Sequence, residues 1–222
     1  MTHFAVAVIS DGTKTVEELL APYQENNMGD CPKEYLEFFE DDEYDVDPET
    51  GLRGYYENPD ARWDWWVLGG RWHGMLRAAK GELGEPSWGN EGRGLPSGRF
   101  DIAKVGDIDF TPDPEVHARA IAEWEYNVEG KGEDESLRWW CKADYMIDRY
   151  GDKETYAKVE STVFWRAVIT PDGNWREVGE VGMWAASSET DDEYIDWALR
   201  FKERFIDPCD PEWTLFVADC HI

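Results

Sequence analysis

Basic residues are scarce in this chain: 22 Lys and Arg stand against 49 Asp and Glu in 222 residues, a formal net charge of -27. Such a surface repels nucleic-acid phosphates and anionic lipid at long range, which excludes ordinary binding along duplex nucleic acid or to a membrane surface. Cysteine is sparse as well. Cys31, Cys141, Cys209 and Cys220 are far apart and form no C-x-x-C pair, so neither a zinc knuckle nor a thioredoxin-like redox site is present, and a reduced, cytosolic protein is the simplest reading. No apolar run approaches the ~20 residues that span a bilayer, and the opening MTHFAVAVISDG lacks the basic start of a signal peptide. Motifs with an assigned chemistry are missing too. There is no G-x-S-x-G, no P-loop and no H-E-x-x-H, and GNEGRG does not open a helix after a strand as a dinucleotide fingerprint must. No motif calls for a cofactor or a metal.

What the chain does have is a mixture of strand and helix signals. HFAVAVI at 3–9 is apolar on both of its alternating faces and predicts a strand at the centre of a sheet. Thr15 and Glu18 are spaced as a capping box ahead of a short helix that Pro22 stops. PKEYLEFF starts as a helix and dissolves into acids. Asp113 as N-cap with Pro114 behind it opens a helix that buries Val116, Ala120, Ile121 and Trp124; a second, over about 134–149, buries Leu137, Trp140 and Cys141. TVFWRAVI and NWREVGEVGMWA, joined across TPDG, form a strand pair. Thr190 and Glu193 cap a helix with Tyr194, Trp197, Ala198, Phe201 and Phe205 on one face, and WTLFVADCHI closes the chain as a strand. This order lacks the repeated β-α alternation of a doubly wound fold. It predicts one α+β domain over 1–222, an antiparallel or mixed sheet covered by amphipathic helices, with an acidic loop over about 40–60 and a Gly-rich loop over about 81–99.

Two constellations carry candidate chemistry. RWDWWVLGGRWHG at 62–74 lies in a locally basic island, where seven cations face five acids between 62 and 104. In a strand, Trp63 and Trp65 point one way and Trp66 the other, while Gly69-Gly70 permits a turn or a close backbone approach. These side chains are either the wall of a core or a pocket for a small anionic ligand: the indoles of Trp63, Trp65, Trp66 and Trp72 would stack on a planar group and Arg62 or Arg71 would hold the anion, as a nucleotide requires. The second constellation joins the chain ends. Asp219 and His221 are two apart and share a strand face; if the first and last strands are antiparallel neighbours, His3 falls beside His221, and the three form an acid-base or metal-assisted hydrolase site. His73 and His117 show no partner in the sequence. Cys220, on the opposite face, reads as a small buried hydrophobe.

The acidic run from Glu37 to Glu49 alternates like a calcium loop but fails the EF-hand spacing, lacking its glycine and its closing glutamate. It leaves a third class of function open, an acidic protein that binds a host protein or mimics DNA.

MTHFAVAVI, LLAPYQEN, NPDARWDWWVLGGRW, GDIDF and the closing DCHI together resemble a family of hypothetical proteins encoded by tailed bacteriophages. The resemblance implies a phage origin, the cytoplasm of an infected bacterium as the place of action, and a small ligand or a host protein as partner. It assigns no chemistry to any residue.

Overall fold

In the computed structural model, residues 2–79, 98–179 and 188–222 are described. The fold is α+β and its centre is made by the two chain ends. β1 (His3–Ser10) and β10 (Thr214–His221) run antiparallel over their whole lengths, with His3 opposite His221 and Ser10 opposite Thr214. On the other side of β1, β8 (Ala167–Ile169) pairs in parallel and carries β9 (Trp175–Glu177) as an antiparallel hairpin. The far edge of β10 is shared. β4 (Trp65–Leu68) pairs with residues 218–221 of β10, and β7 (Ile102–Lys104) pairs with residues 214–216.

Because β1 has a strand on each side and packing on both faces, its sequence is apolar at every position from Phe4 to Ile9. Ala5, Ala7, Ile9, Leu215, Val217 and Val168 face one layer, formed by Trp165, Trp197, Phe201 and Ile206. Phe4, Val6, Val8, Ala218 and Cys220 face the other, where α1 (Val16–Leu20) supplies Val16, Leu19 and Leu20. Both predicted capping boxes are formed: Thr15 with Glu18 ahead of α1, and Thr190 with Glu193 ahead of the helix Asp191–Phe201. The helix that Asp113 caps is α2 (Pro114–Asn127). It packs beside α3 (Ala143–Tyr150) and α4 (Lys153–Ser161) around Trp124, Tyr150 and Tyr156, with Ala198 contributed by Asp191–Phe201, which is α5.

Several expectations are corrected. PKEYLEFF makes one 3₁₀ turn, Lys33–Tyr35, and then a strand, β2 (Glu37–Glu40), paired with β3 (Gly54–Glu57) inside the stretch read as an acidic loop. Its aromatics decide this: Phe38 packs on Tyr56 and Phe39 on Tyr55, at ring separations of 5.2 and 5.9 Å across the hairpin. The helix expected over 134–149 begins only at Ala143. Before it, Glu135–Leu137 makes a single 3₁₀ turn, and the Asn127 amide donates to the Leu137 carbonyl and accepts the Trp139 N–H, which holds this stretch against the end of α2. Trp139 therefore packs against Trp124 and Tyr156, and Trp140 is 95% exposed. Val116 is exposed on α2, whose buried residues are Ala120 and Trp124. The predicted Gly-rich loop falls almost wholly outside the described residues; its end, Arg99–Phe100, is strand β6, paired with β5 (Leu76–Arg77).

Candidate functional site

The register of β1 and β10 places His3 and His221 side by side at one end of the sheet, with ring centroids 5.0 Å apart and the rings nearly perpendicular. Each imidazole is held through Nδ1. His3 Nδ1 lies 2.8 Å from Oδ1 of Asp219, which is almost fully buried. His221 Nδ1 lies 2.6 Å from Oδ1 of Asp64, and the Asp64 N–H also donates to the His221 carbonyl at 2.9 Å. An ionised carboxylate can only accept, so Nδ1 carries the proton in each pair and Nε2 is the nitrogen that can exchange one with a ligand. Neither Nε2 has a hydrogen-bond partner among the described residues. Trp65 lies over the pair, stacked on His221 at 5.2 Å and meeting His3 edge-on at 5.1 Å.

A third pair of the same kind, which the sequence reading did not find, lies nearby in the fold. His73 Nδ1 is 2.6 Å from Oδ2 of the buried Asp101, whose Oδ1 accepts the Gly74 N–H at 2.5 Å. The two buried carboxylates flank the Gly-Gly pair. A Cβ on Gly69 would fall 2.2 Å from Asp101 Oδ2 and one on Gly70 2.2 Å from Asp219 Oδ2, and both glycines have positive φ, 70° and 49°. Only residues without a Cβ let the backbone turn there and close on the two acids. The turn delivers the Arg71 N–H to Asp219 Oδ2 at 2.8 Å, so Asp219 is fixed from one side while it orients His3 with the other.

The six residues expected to line one ligand pocket are dispersed. Trp63 precedes β4, is buried beside α1 and donates its indole N–H to the Leu20 carbonyl, so it does not share a face with Trp65. Arg62 bridges to Glu177 at 3.2 Å. Trp72 packs against the core layer on the histidine face. Trp66, opposite Cys220 in the register, points to the other side of the sheet. There it lines an apolar groove of about 700 Å³ with Val16, Leu68 and Phe216. Trp65 remains at the histidine pair, where Arg71 is present through its backbone N–H on Asp219; the Arg71 side chain is exposed and has no ion pair among the described residues. Cys220 is fully buried, and that burial, with the Asp219 charge beside it, pushes its thiol well above the ordinary range. It is no nucleophile.

No group of three or more His, Cys, Asp and Glu side chains among the described residues is arranged to hold a metal ion. No described helix is long and apolar enough to cross a membrane. Compared with protein-family models, curated proteins and solved structures, the chain matches none.

Proposed function

We propose that this protein is a phosphoester hydrolase in which His3 and His221 act as a general acid-base pair. The observation that carries the reading is the juxtaposition of two imidazoles 5.0 Å apart, each with its Nδ1 fixed by its own carboxylate. A neutral imidazole takes a proton from water at Nε2 as the oxygen attacks phosphorus. The protonated partner gives its proton to the leaving alkoxide as the P–O ester bond breaks. The two histidines end with their protonation states exchanged, and solvent resets them. Arg71, whose backbone N–H holds Asp219 and whose side chain is exposed, would supply the cation that offsets the phosphate charge in an otherwise acidic chain. By its resemblance to phage proteins, the enzyme would work in the cytoplasm of the infected bacterium.

The test is hydrolysis of bis(4-nitrophenyl) phosphate and of a panel of cyclic and linear nucleotides by the purified protein. His3→Ala and His221→Ala variants, with folding followed by thermal denaturation, are compared alongside. Loss of turnover by roughly 10²–10⁴-fold in each variant is expected. Turnover unchanged in both variants, or none in the folded wild type, would overturn the reading. Nucleotide binding without turnover would leave the Trp65 and Arg71 neighbourhood as a non-catalytic ligand site.

A further inference from the structure

Beside the histidine pair lies a cleft of about 610 Å³ whose lining includes Glu25, Asn26, Tyr55, Tyr56, Glu57 and Asn58. It is joined to the catalytic strand by direct backbone pairing. The Glu25 N–H donates to the Trp63 carbonyl at 2.7 Å, and the next residue in the chain, Asp64, donates to the His221 carbonyl at 2.9 Å. Two strand spacings, roughly 10 Å, therefore separate the Glu25 backbone from that of His221, a distance one nucleotide spans.

The walls are preformed. Asn58 is buried and its amide donates to the carbonyls of Pro22 and Gln24, both at 2.9 Å; the Asn26 amide donates to the Tyr56 carbonyl at 2.8 Å, while its buried Oδ1 has no hydrogen-bond partner among the described residues. Among the described residues no cation lines the cleft, and two carboxylates, Glu25 and Glu57, do. Burial pushes the Glu25 carboxyl up, Asp64 and Glu57 push it further, and His221 opposes them. A phosphate is disfavoured in such a place; a planar group rich in donors is favoured.

We infer that this cleft holds the base of the substrate and selects a guanine edge, the ring N–H and adjacent NH₂ donating together to the two oxygens of Glu25. Adenine and cytosine present an acceptor beside their amine, which a carboxylate repels, and hypoxanthine lacks the amine. The inference rests on the hydrolase reading for the placement of the phosphate at the histidines, but its test does not.

Guanosine, inosine and adenosine are titrated calorimetrically into the wild type, Glu25→Gln and Glu57→Gln, with melting temperatures recorded for each protein. Guanosine binding at least tenfold tighter than the other two, and weakened at least tenfold in a Glu25→Gln protein that melts normally, is expected. Equal affinity for guanosine and inosine, no binding of any nucleoside, or guanosine binding that survives Glu25→Gln would overturn the assignment. If Glu25→Gln fails to fold, the guanosine-to-inosine ratio of the wild type decides alone. Because no phosphate is present, histidine-dependent cleavage of bis(4-nitrophenyl) phosphate together with absent guanosine preference would remove the cleft assignment and leave the hydrolase standing.

Discussion

Gly70 and Asp219 meet so closely that a methyl group on the glycine would lie 2.2 Å from the carboxylate oxygen that the Arg71 N–H holds. That contact ties the turn after β4 to the residue that orients His3. Gly70→Ala is therefore expected to cost about 2 kcal/mol or more: the left-handed backbone contributes 1–2 kcal/mol, and the displaced buried carboxylate loses hydrogen bonds besides. Gly130→Ala is the control. Gly130 has a similar φ of 65° with open space around it, so it carries the strain without the collision. Equal melting temperatures for the two variants would mean that the carboxylate is not pressed against the turn.

The carboxylates act through the histidines. Asp64→Asn and Asp219→Asn keep the shape of each side chain but let an amide N–H face Nδ1, which favours the wrong tautomer. Each is expected to lower hydrolysis of bis(4-nitrophenyl) phosphate by about 10²–10⁴-fold and to change the pH profile of turnover, while circular dichroism stays that of the wild type. An unchanged profile in both variants would reduce these pairs to structural hydrogen bonds.

The tryptophans of the 62–74 stretch divide into core and site, and substitution separates them. Trp63→Ala removes a buried indole and leaves the Leu20 carbonyl without its donor, so a loss of roughly 3–5 kcal/mol in denaturant unfolding is expected. Trp65 is 44% exposed, and Trp65→Ala should change stability by well under that while lowering turnover, because the indole covers His221. Reversed effects would place the ligand wall at Trp63.

Only half of the chain-end site is legible in the sequence: alternation puts Asp219 and His221 on one face, whereas the approach of His3 hangs on antiparallel pairing of the end strands, which the structure supplies. The partners of His221 and His73 are not legible. Asp64 is 157 residues from His221, and Asp101 is 28 from His73 across a stretch with no regular pattern. Contacts of that kind follow from strand order, which no local signal encodes. The caps at Thr15 and Thr190, whose side chains bond three residues ahead, are legible in the sequence. The same logic applies to Asp152, whose side chain accepts the Thr155 N–H at 2.9 Å, yet α4 is hard to see in the sequence because its apolar residues are few, Tyr156, Ala157 and Val159. The buried-face assignments at Trp140 and Val116 failed by one residue and one turn. Tertiary ties such as that of Asn127 to Trp139 set the phase there.

The cap of α2 offers a test by pH. Burial pushes the Asp113 carboxyl up, but the N–H groups of Val116 and Glu115 and the Arg77 guanidinium outweigh burial and hold it below the ordinary aspartate value. Folding therefore lowers this group's affinity for protons. Its contribution to stability is present in full above the unfolded value of about 3.9 and is lost as pH falls through the lower, folded value. Asn also caps helices, so Asp113→Asn removes the charge and keeps the cap. The wild type should be more stable than the variant by about 1–2 kcal/mol at pH 7, and urea unfolding at pH 7, 5, 4 and 3 should show the difference shrinking only below about pH 4. A gap that is constant with pH would mean that the Asp113 charge gains nothing from Arg77 and the helix terminus.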